Sequence, residues 1–177
     1  MYSPVLELSG EHYRNLLLLV DKPTNHLTVQ YHRLSIMSRK GPIILIEDDE
    51  DDQFLIEKAL KAQQLPNEIR FFSNGQLALD YFETTTEQPF LILCDINMPL
   101  MDGLELRHRI NQSEYLRKKS IPFIFLTTAS NPRSIELAYQ ESVQGFYKKS
   151  AQYTGLQEQI RLIVDYWQSC LHPNNQG

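Results

Sequence analysis

This sequence has few cysteines, no long apolar run near its N-terminus and no excess of positive charge. Each of these absences argues against a class of protein. The two cysteines, Cys94 and Cys170, lie far apart and without metal-ligand spacing, so neither a disulfide framework nor a Cys-x-x-Cys site is indicated. The apolar run at residues 16–20 is too short to span a bilayer, and no basic segment or cleavage site accompanies it. The net charge of −5 argues against general binding to a nucleic-acid backbone. We therefore expect a cytoplasmic protein that binds neither membranes nor nucleic acid.

The sequence changes character near residue 41. Residues 1–40 mix short apolar runs with polar breaks and show no sustained period, which predicts a poorly ordered N-terminal extension. From residue 41 onward, short apolar runs alternate with helical patterns. The strand-like runs are at 43–46, 69–72, 90–94, 123–126 and 145–147.

This alternation predicts an α/β fold, in which a doubly wound, five-stranded parallel sheet is covered by five helices on its two faces. The last helix is indicated most clearly, since its apolar residues recur with a 3.6-residue period from Leu156 to Trp167. Asn131 and Pro132 are typical of a helix start. We predict one domain at 41–172 and a short tail at 173–177.

Polar side chains follow the predicted strands at the points where they end, and half of them are acidic. In an open parallel sheet, ligands bind outside the carboxyl ends of the strands. The residues at these ends are Glu47, Asp48, Asp49, Asp95, Thr127, Thr128, Lys148 and Lys149. Clustered carboxylates repel one another unless a hard cation such as Mg²⁺ offsets them, so this edge predicts a magnesium site. The following residues, 50–52, are interpreted as a solvated run that caps the next helix.

An EF-hand is the main rival explanation of the acidic run, and its spacing excludes it. Such a loop needs glycine at its sixth position and glutamate at its twelfth. Loops that begin at 47, 48 or 49 have neither residue at those positions.

Four segments of this chain, "ILIEDD", "LCDINMPLMDGLEL", "FIFLTTA" and "GFYKK", resemble in order and spacing the receiver domain of two-component response regulators. The resemblance covers residues 42–171 and implies a flavodoxin-like sheet of order 2-1-3-4-5. It implies a stand-alone regulator that accepts a phosphoryl group from a histidine kinase or a histidine phosphotransfer protein and then binds a separate target. Such a domain catalyses only its own phosphorylation and dephosphorylation. It often forms a homodimer through the face of helix four, strand five and helix five.

The resemblance also implies roles for individual residues. Asp95 is the expected phosphoacceptor, and Mg²⁺ is expected on Asp48, Asp95, the backbone carbonyl of Asn97 and, through water, Glu47. Thr127 is expected to hydrogen-bond the phosphoryl group and Lys149 to pair with it. Phe146 lies where these domains carry an aromatic switch, and Met98, Pro99 and Gly103 shape the acceptor loop. The chain departs from the family pattern at Ser150, which stands where a proline usually follows the lysine.

Two other functions are compatible with parts of the pattern. A magnesium-dependent phosphohydrolase with an aspartyl-phosphate intermediate would need a second carboxylate two residues beyond the nucleophile, and this chain has Asn97 there. A receiver-like domain used only for docking would be expected to lose one of Asp95, Asp48, Thr127 and Lys149, yet all four are present.

Overall fold

Five short strands form a single parallel sheet. A computed structural model of the protein describes residues 41–128 and 130–170. Neighbouring strands all pair in parallel, in the order β2-β1-β3-β4-β5, which confirms the predicted fold and strand order. The strands are β1 (Ile43–Ile46), β2 (Ile69–Phe72), β3 (Leu91–Cys94), β4 (Phe123–Thr127) and β5 (Gly145–Lys148). The strand order reverses between β1 and β3, so the crevice favoured for ligands lies at their carboxyl ends.

Six helices, not the five predicted, occur among the described residues. The additional helix is short and follows directly on the third, because Ser113 ends one helix with extended backbone and its hydroxyl accepts a hydrogen bond from Leu116 N at the start of the next. The predicted fourth and fifth helices are therefore the fifth and sixth. The helices are α1 (Glu50–Lys61), α2 (Gly75–Thr84), α3 (Gly103–Gln112), α4 (Glu114–Lys118), α5 (Pro132–Gln140) and α6 (Tyr153–Ser169).

The core has two layers, one on each face of the sheet. Every residue of β1, β3 and β4 is buried, as expected of continuous apolar strands covered on both sides. Ile44 and Ile92 face α2, α3 and α5, whereas Leu45 and Leu91 face α1 and α6. The apolar stripe of α6 is buried as predicted, with Trp167 at its partly buried end. Burial of three central strands on both faces holds the strand ends, and hence the site, in fixed register.

The capping residues at the helix starts agree only in part with those predicted from the sequence. Asn131 caps α5 and Pro132 is its first residue, as predicted. The predicted negative charge at the start of α1, residues 50–52, is present, but the capping side chain is that of Asp49, whose Oδ1 accepts from Asp52 N at 2.9 Å. Residues 50–52 form the first helical turn, where negative charge complements the helix dipole.

No helix within 41–128 or 130–170 is long and apolar enough to cross a bilayer. The predicted extension at 1–40 and tail at 173–177 lie outside the described residues, and those two predictions stay predictions.

Candidate functional site

Three carboxylates meet at the carboxyl edge of β1 and β3. One oxygen from each of Glu47, Asp48 and Asp95 lies within 4.8 Å of the others. The sheet register explains the meeting, because Ile46 pairs with Cys94 and the backbone N–H of Asp95 donates to Ile46 O at 2.9 Å. Glu47 and Asp95 are buried and Asp48 is exposed. The predicted acidic cluster is therefore present, with one carboxylate open to solvent.

The two carboxylate oxygens of Asp95 differ in their surroundings. Oδ2 accepts a hydrogen bond from the backbone N–H of Asn97 at 2.7 Å. Oδ1 is buried and has no hydrogen-bond donor among the described residues, and the ammonium group of Lys149 lies 3.5 Å from it. Leaving a buried acceptor unsatisfied costs about 1–3 kcal/mol. The charged contact of this oxygen within the described residues is therefore the ammonium group of Lys149.

Lys149 lies between the buried carboxylates. Its Nζ donates to Glu47 Oε2 at 2.5 Å and to Asp52 Oδ2 at 2.6 Å, and its backbone N–H donates to Thr127 O at 2.8 Å. Burial by itself lowers the pKa of Lys149, but the hydrogen bonds to Asp52 and Glu47 outweigh it and raise that pKa above its ordinary value. The lysine therefore stays charged, with its ammonium group held beside Asp95.

Asp52 is a site residue that the sequence interpretation missed. It was predicted to be merely solvated, yet it is half-buried and contacts Lys149 directly. A signal was available in its spacing. Asp52 is only five residues beyond Glu47, and it lies in the first turn of the helix that Asp49 caps, so its side chain stays close to the end of β1.

Glu47 holds Lys149 in the structure. Burial raises the pKa of Glu47 to about 7, and the negative charge of Asp95 adds to the rise, while Lys149 opposes it. Glu47 Oε1 also accepts a hydrogen bond from the backbone N–H of Asp49 at 3.3 Å. The direct partner of this carboxylate is therefore the lysine, and its predicted role through a water molecule is not tested by these contacts.

The remaining predicted residues lie at the same edge or just behind it. Thr127 is the last residue of β4 and is completely buried, while Asn97 is exposed on the loop after Asp95. Phe146 is half-buried in β5, where its ring centroid lies 6.0 Å from that of Phe125. The peptide bond between Lys149 and Ser150 is trans, like the others of the described residues.

Known proteins with similar sequences belong to one family. The family model described as the response regulator receiver domain matches residues 43–161. A probable methanogenesis regulatory protein, FilR2 of Methanothrix harundinacea, is 30% identical over 129 residues, which cover 71% of this chain and 82% of that protein. Response regulator Rcp1 of Synechocystis is 29% identical over 130 residues, which cover 71% of this chain and 87% of Rcp1.

Solved structures show the same similarity. The phosphorylated cyanobacterial phytochrome response regulator RcpA is 30% identical with a TM-score of 0.68, over 75% of this chain and 96% of that one. The Mn²⁺-bound form of Rcp1 is 27% identical with a TM-score of 0.66, over 75% of this chain and 97% of that one.

Proposed function

The chain belongs to the family of response regulator receiver domains, and from this premise we propose that it is a phosphorylation-dependent switch. Asp95 accepts a phosphoryl group from a histidine kinase or a histidine phosphotransfer protein, and the phosphorylated form binds a separate target protein. The observation that carries the proposal is the buried Oδ1 of Asp95, which has no hydrogen-bond donor within the described residues and lies beside the Lys149 ammonium group. The phosphorylated state of the relative RcpA supports the same reading.

The acidic cluster suits a divalent cation of the hard, oxygen-preferring kind. One oxygen from each of three carboxylates lies in this cluster, those of Asp48, Asp95 and Glu47. Asp48 is open to solvent, as a site that retains water molecules requires. We propose Mg²⁺ on Asp48, Asp95 and the backbone carbonyl of Asn97, with Glu47 contributing through water. The bound cation would reduce the repulsion between the carboxylates and an incoming phosphoryl group. The Mn²⁺-bound form of Rcp1 is a related case.

The residues of the chain perform the transfer by position and charge. Oδ1 of Asp95 attacks phosphorus, and the bond from phosphorus to the donor's leaving group breaks with its electron pair departing on that group. Lys149 is held by Glu47 and Asp52, so its charge is in place before the phosphoryl group arrives. Thr127 then donates its hydroxyl hydrogen bond to a phosphoryl oxygen, and Phe146 responds as the switch residue. Homodimerisation through the face of α5, β5 and α6 is part of the same proposal.

Acetyl phosphate tests the proposal directly. With Mg²⁺ present, we expect the full chain to take up about one phosphoryl group per molecule and then to stop, since a stable acyl phosphate occupies the only proposed acceptor. Intact-mass measurement gives the stoichiometry, and release of p-nitrophenol from p-nitrophenyl phosphate measures turnover. Sustained turnover of the phosphomonoester would instead favour a magnesium-dependent phosphohydrolase, and the absence of any label would contradict the proposal.

Removal of the exposed carboxylate should weaken the cation site. Asp48→Ala is expected to lower Mg²⁺ affinity at least tenfold, because a proposed direct ligand is lost while the buried pair of Glu47 and Lys149 is left intact. Calorimetric titration with MgCl₂ measures the affinity. Asp51→Ala is the matched control, since Asp51 is an exposed carboxylate in the first turn of α1 outside the cluster. Equal losses of Mg²⁺ affinity in the two variants would indicate that Asp48 acts only through its charge and is not a direct ligand.

A further inference from the structure

A cavity lies at the edge of the sheet opposite to Asp95. It has a volume of about 350 Å³, within the range of small-molecule sites. Ile92 at the start of β3, Pro122 before β4 and Gln144 before β5 line it, so it opens at the amino ends of the strands. Side chains from α2, α3, α4 and α6 complete the wall. We call this cavity the amino-edge pocket.

The charge of the amino-edge pocket is opposite to that of the chain. Arg107, Arg117 and Lys119 line it, and its lining includes no aspartate or glutamate, although the chain has a net charge of −5. Arg107 and Lys119 are both buried, and Arg117 is exposed at the rim. The rest of the wall is largely apolar, with Phe82, Ile92 and Trp167 among its members.

Arg107 has unused hydrogen-bonding capacity in this pocket. It is 8% exposed, and its Nε and Nη2 donate to the backbone carbonyls of Glu141 and Ser142, each at 2.9 Å. Its Nη1 has no acceptor among the described residues, and it is not fully enclosed as Asp95 Oδ1 is, so it keeps some exposed surface on a residue that lines the pocket. No carboxylate forms a direct ion pair with the guanidinium group within the described part of the chain, and the Glu141 carboxylate acts on it only at longer range.

A cation in this position is unfavourable without an anion. Its aromatic neighbour is the fully buried Phe123, with the guanidinium carbon 5.4 Å from the ring centroid. Backbone carbonyls and an aromatic face stabilise a positive charge only in part. Burial outweighs the opposing charge of the Glu141 carboxylate and lowers the pKa of Arg107 below its ordinary value. A carboxylate placed against Nη1 would accept from its N–H groups and, end-on, from the second N–H of Nη2, which is one of the planar bidentate pairs that guanidinium groups form with carboxylates.

We propose that the amino-edge pocket binds a small organic carboxylate with an apolar body. The carboxylate pairs with Nη1 of Arg107 and is attracted by Arg117 at the rim, and the apolar body packs between Phe82, Ile92 and Trp167. Inorganic phosphate would satisfy the charge but would leave this apolar wall without a partner, so a carboxylate with a hydrocarbon part fits better. The inference does not depend on the proposed phosphoryl transfer, because the two sites lie at opposite edges of the sheet.

Trp167 provides a specific readout, because it is the only tryptophan of the chain and it lines the pocket. We would titrate the full chain with benzoate and follow the single indole N–H signal by NMR. A saturable shift is expected at millimolar concentrations, with benzyl alcohol, the uncharged analogue, and inorganic phosphate each binding at least tenfold more weakly. No saturable shift, or equal binding of benzoate and benzyl alcohol, would overturn the proposal.

Three arginine variants locate the contact. Arg107→Gln should weaken benzoate binding at least tenfold and Arg117→Glu several-fold, whereas Arg109→Gln, a matched change on the exposed side of α3, should leave binding unchanged. If Arg107→Gln does not fold, Arg117→Glu tests the proposal instead, because Arg117 is exposed and its replacement should not disturb folding. Wild-type affinity in Arg117→Glu would refute the proposal. Asp95→Asn should bind benzoate like the wild type, which separates this result from the fate of the proposed phosphoryl transfer.

Discussion

Asp95→Asn is expected to accept no phosphoryl group from acetyl phosphate, while the wild-type chain becomes labelled. The change keeps the shape of the side chain and can keep the hydrogen bond from Asn97 N, which is 2.7 Å from Oδ2. It removes the negative charge and the nucleophilic oxygen, and a neutral amide does not attack phosphorus under these conditions. Intact-mass analysis after incubation with acetyl phosphate and Mg²⁺ measures the label. An unchanged melting temperature would show that the loss is chemical and not a failure to fold.

Asp102→Asn is the matched control for this result. Asp102 belongs to the same loop, is exposed, and caps α3 by accepting a hydrogen bond from Glu105 N at 2.7 Å. Asparagine caps helices about as well as aspartate, so the control should fold and become labelled like the wild type. Labelling of Asp95→Asn at the wild-type level would refute the assignment of Asp95, and loss of label in both variants would attribute the effect to the loop as a whole.

The fold was predictable because its signal is local and repeated. Each central strand is a short continuous apolar run, and α6 carries a regular apolar stripe, so that a few residues determine each element. The strand order came from the resemblance and is confirmed by the pairing. The short helix α4 was missed because five residues carry too little periodicity, and only the Ser113 cap marks its start.

The site was predictable as a set of residues but not as a set of contacts. Polar residues at strand ends indicated where Glu47, Asp48, Asp95 and Lys149 would meet. Which carboxylates Lys149 contacts depends on how the tertiary fold brings the start of α1 to the residue after β5, and the ion pair with Asp52 joins residues 97 positions apart. The amino-edge pocket was missed for the same reason, since its lining comes from segments between Phe82 and Trp167 that no single motif includes.

Gly103→Ala is expected to destabilise the domain and to disturb the acceptor residue at the same time. Gly103 is the first residue of α3, and its N–H donates to Ile96 O at 2.9 Å. A Cβ added here would clash with the backbone oxygen of Asp95, and it would lie 2.9 Å from the Phe125 ring and 3.0 Å from Cys94 Sγ. A backbone oxygen cannot move aside without moving its own residue, so the methyl group displaces either α3 or Asp95. Overpacking of this kind costs about 3 kcal/mol, which corresponds to a fall in melting temperature of roughly 10 °C.

Gly145→Ala separates this steric effect from the general consequence of replacing a glycine within a regular element. At Gly145 the nearest atoms to an added Cβ are side-chain carbons of Ile124 and Tyr147, at 3.4 Å, which is ordinary van der Waals contact. Because β5 needs no special backbone angle there and alanine loses less conformational entropy than glycine on folding, this variant should melt at or slightly above the wild-type temperature. The two variants should also differ in chemistry, since Gly103→Ala alone shifts the backbone of Asp95 and should slow labelling by acetyl phosphate at temperatures where it is still folded. Equal melting temperatures for Gly103→Ala and Gly145→Ala would show that the loop between Asp95 and α3 accommodates the methyl group. The close packing of α3 against Asp95 would then not be the feature that positions the acceptor.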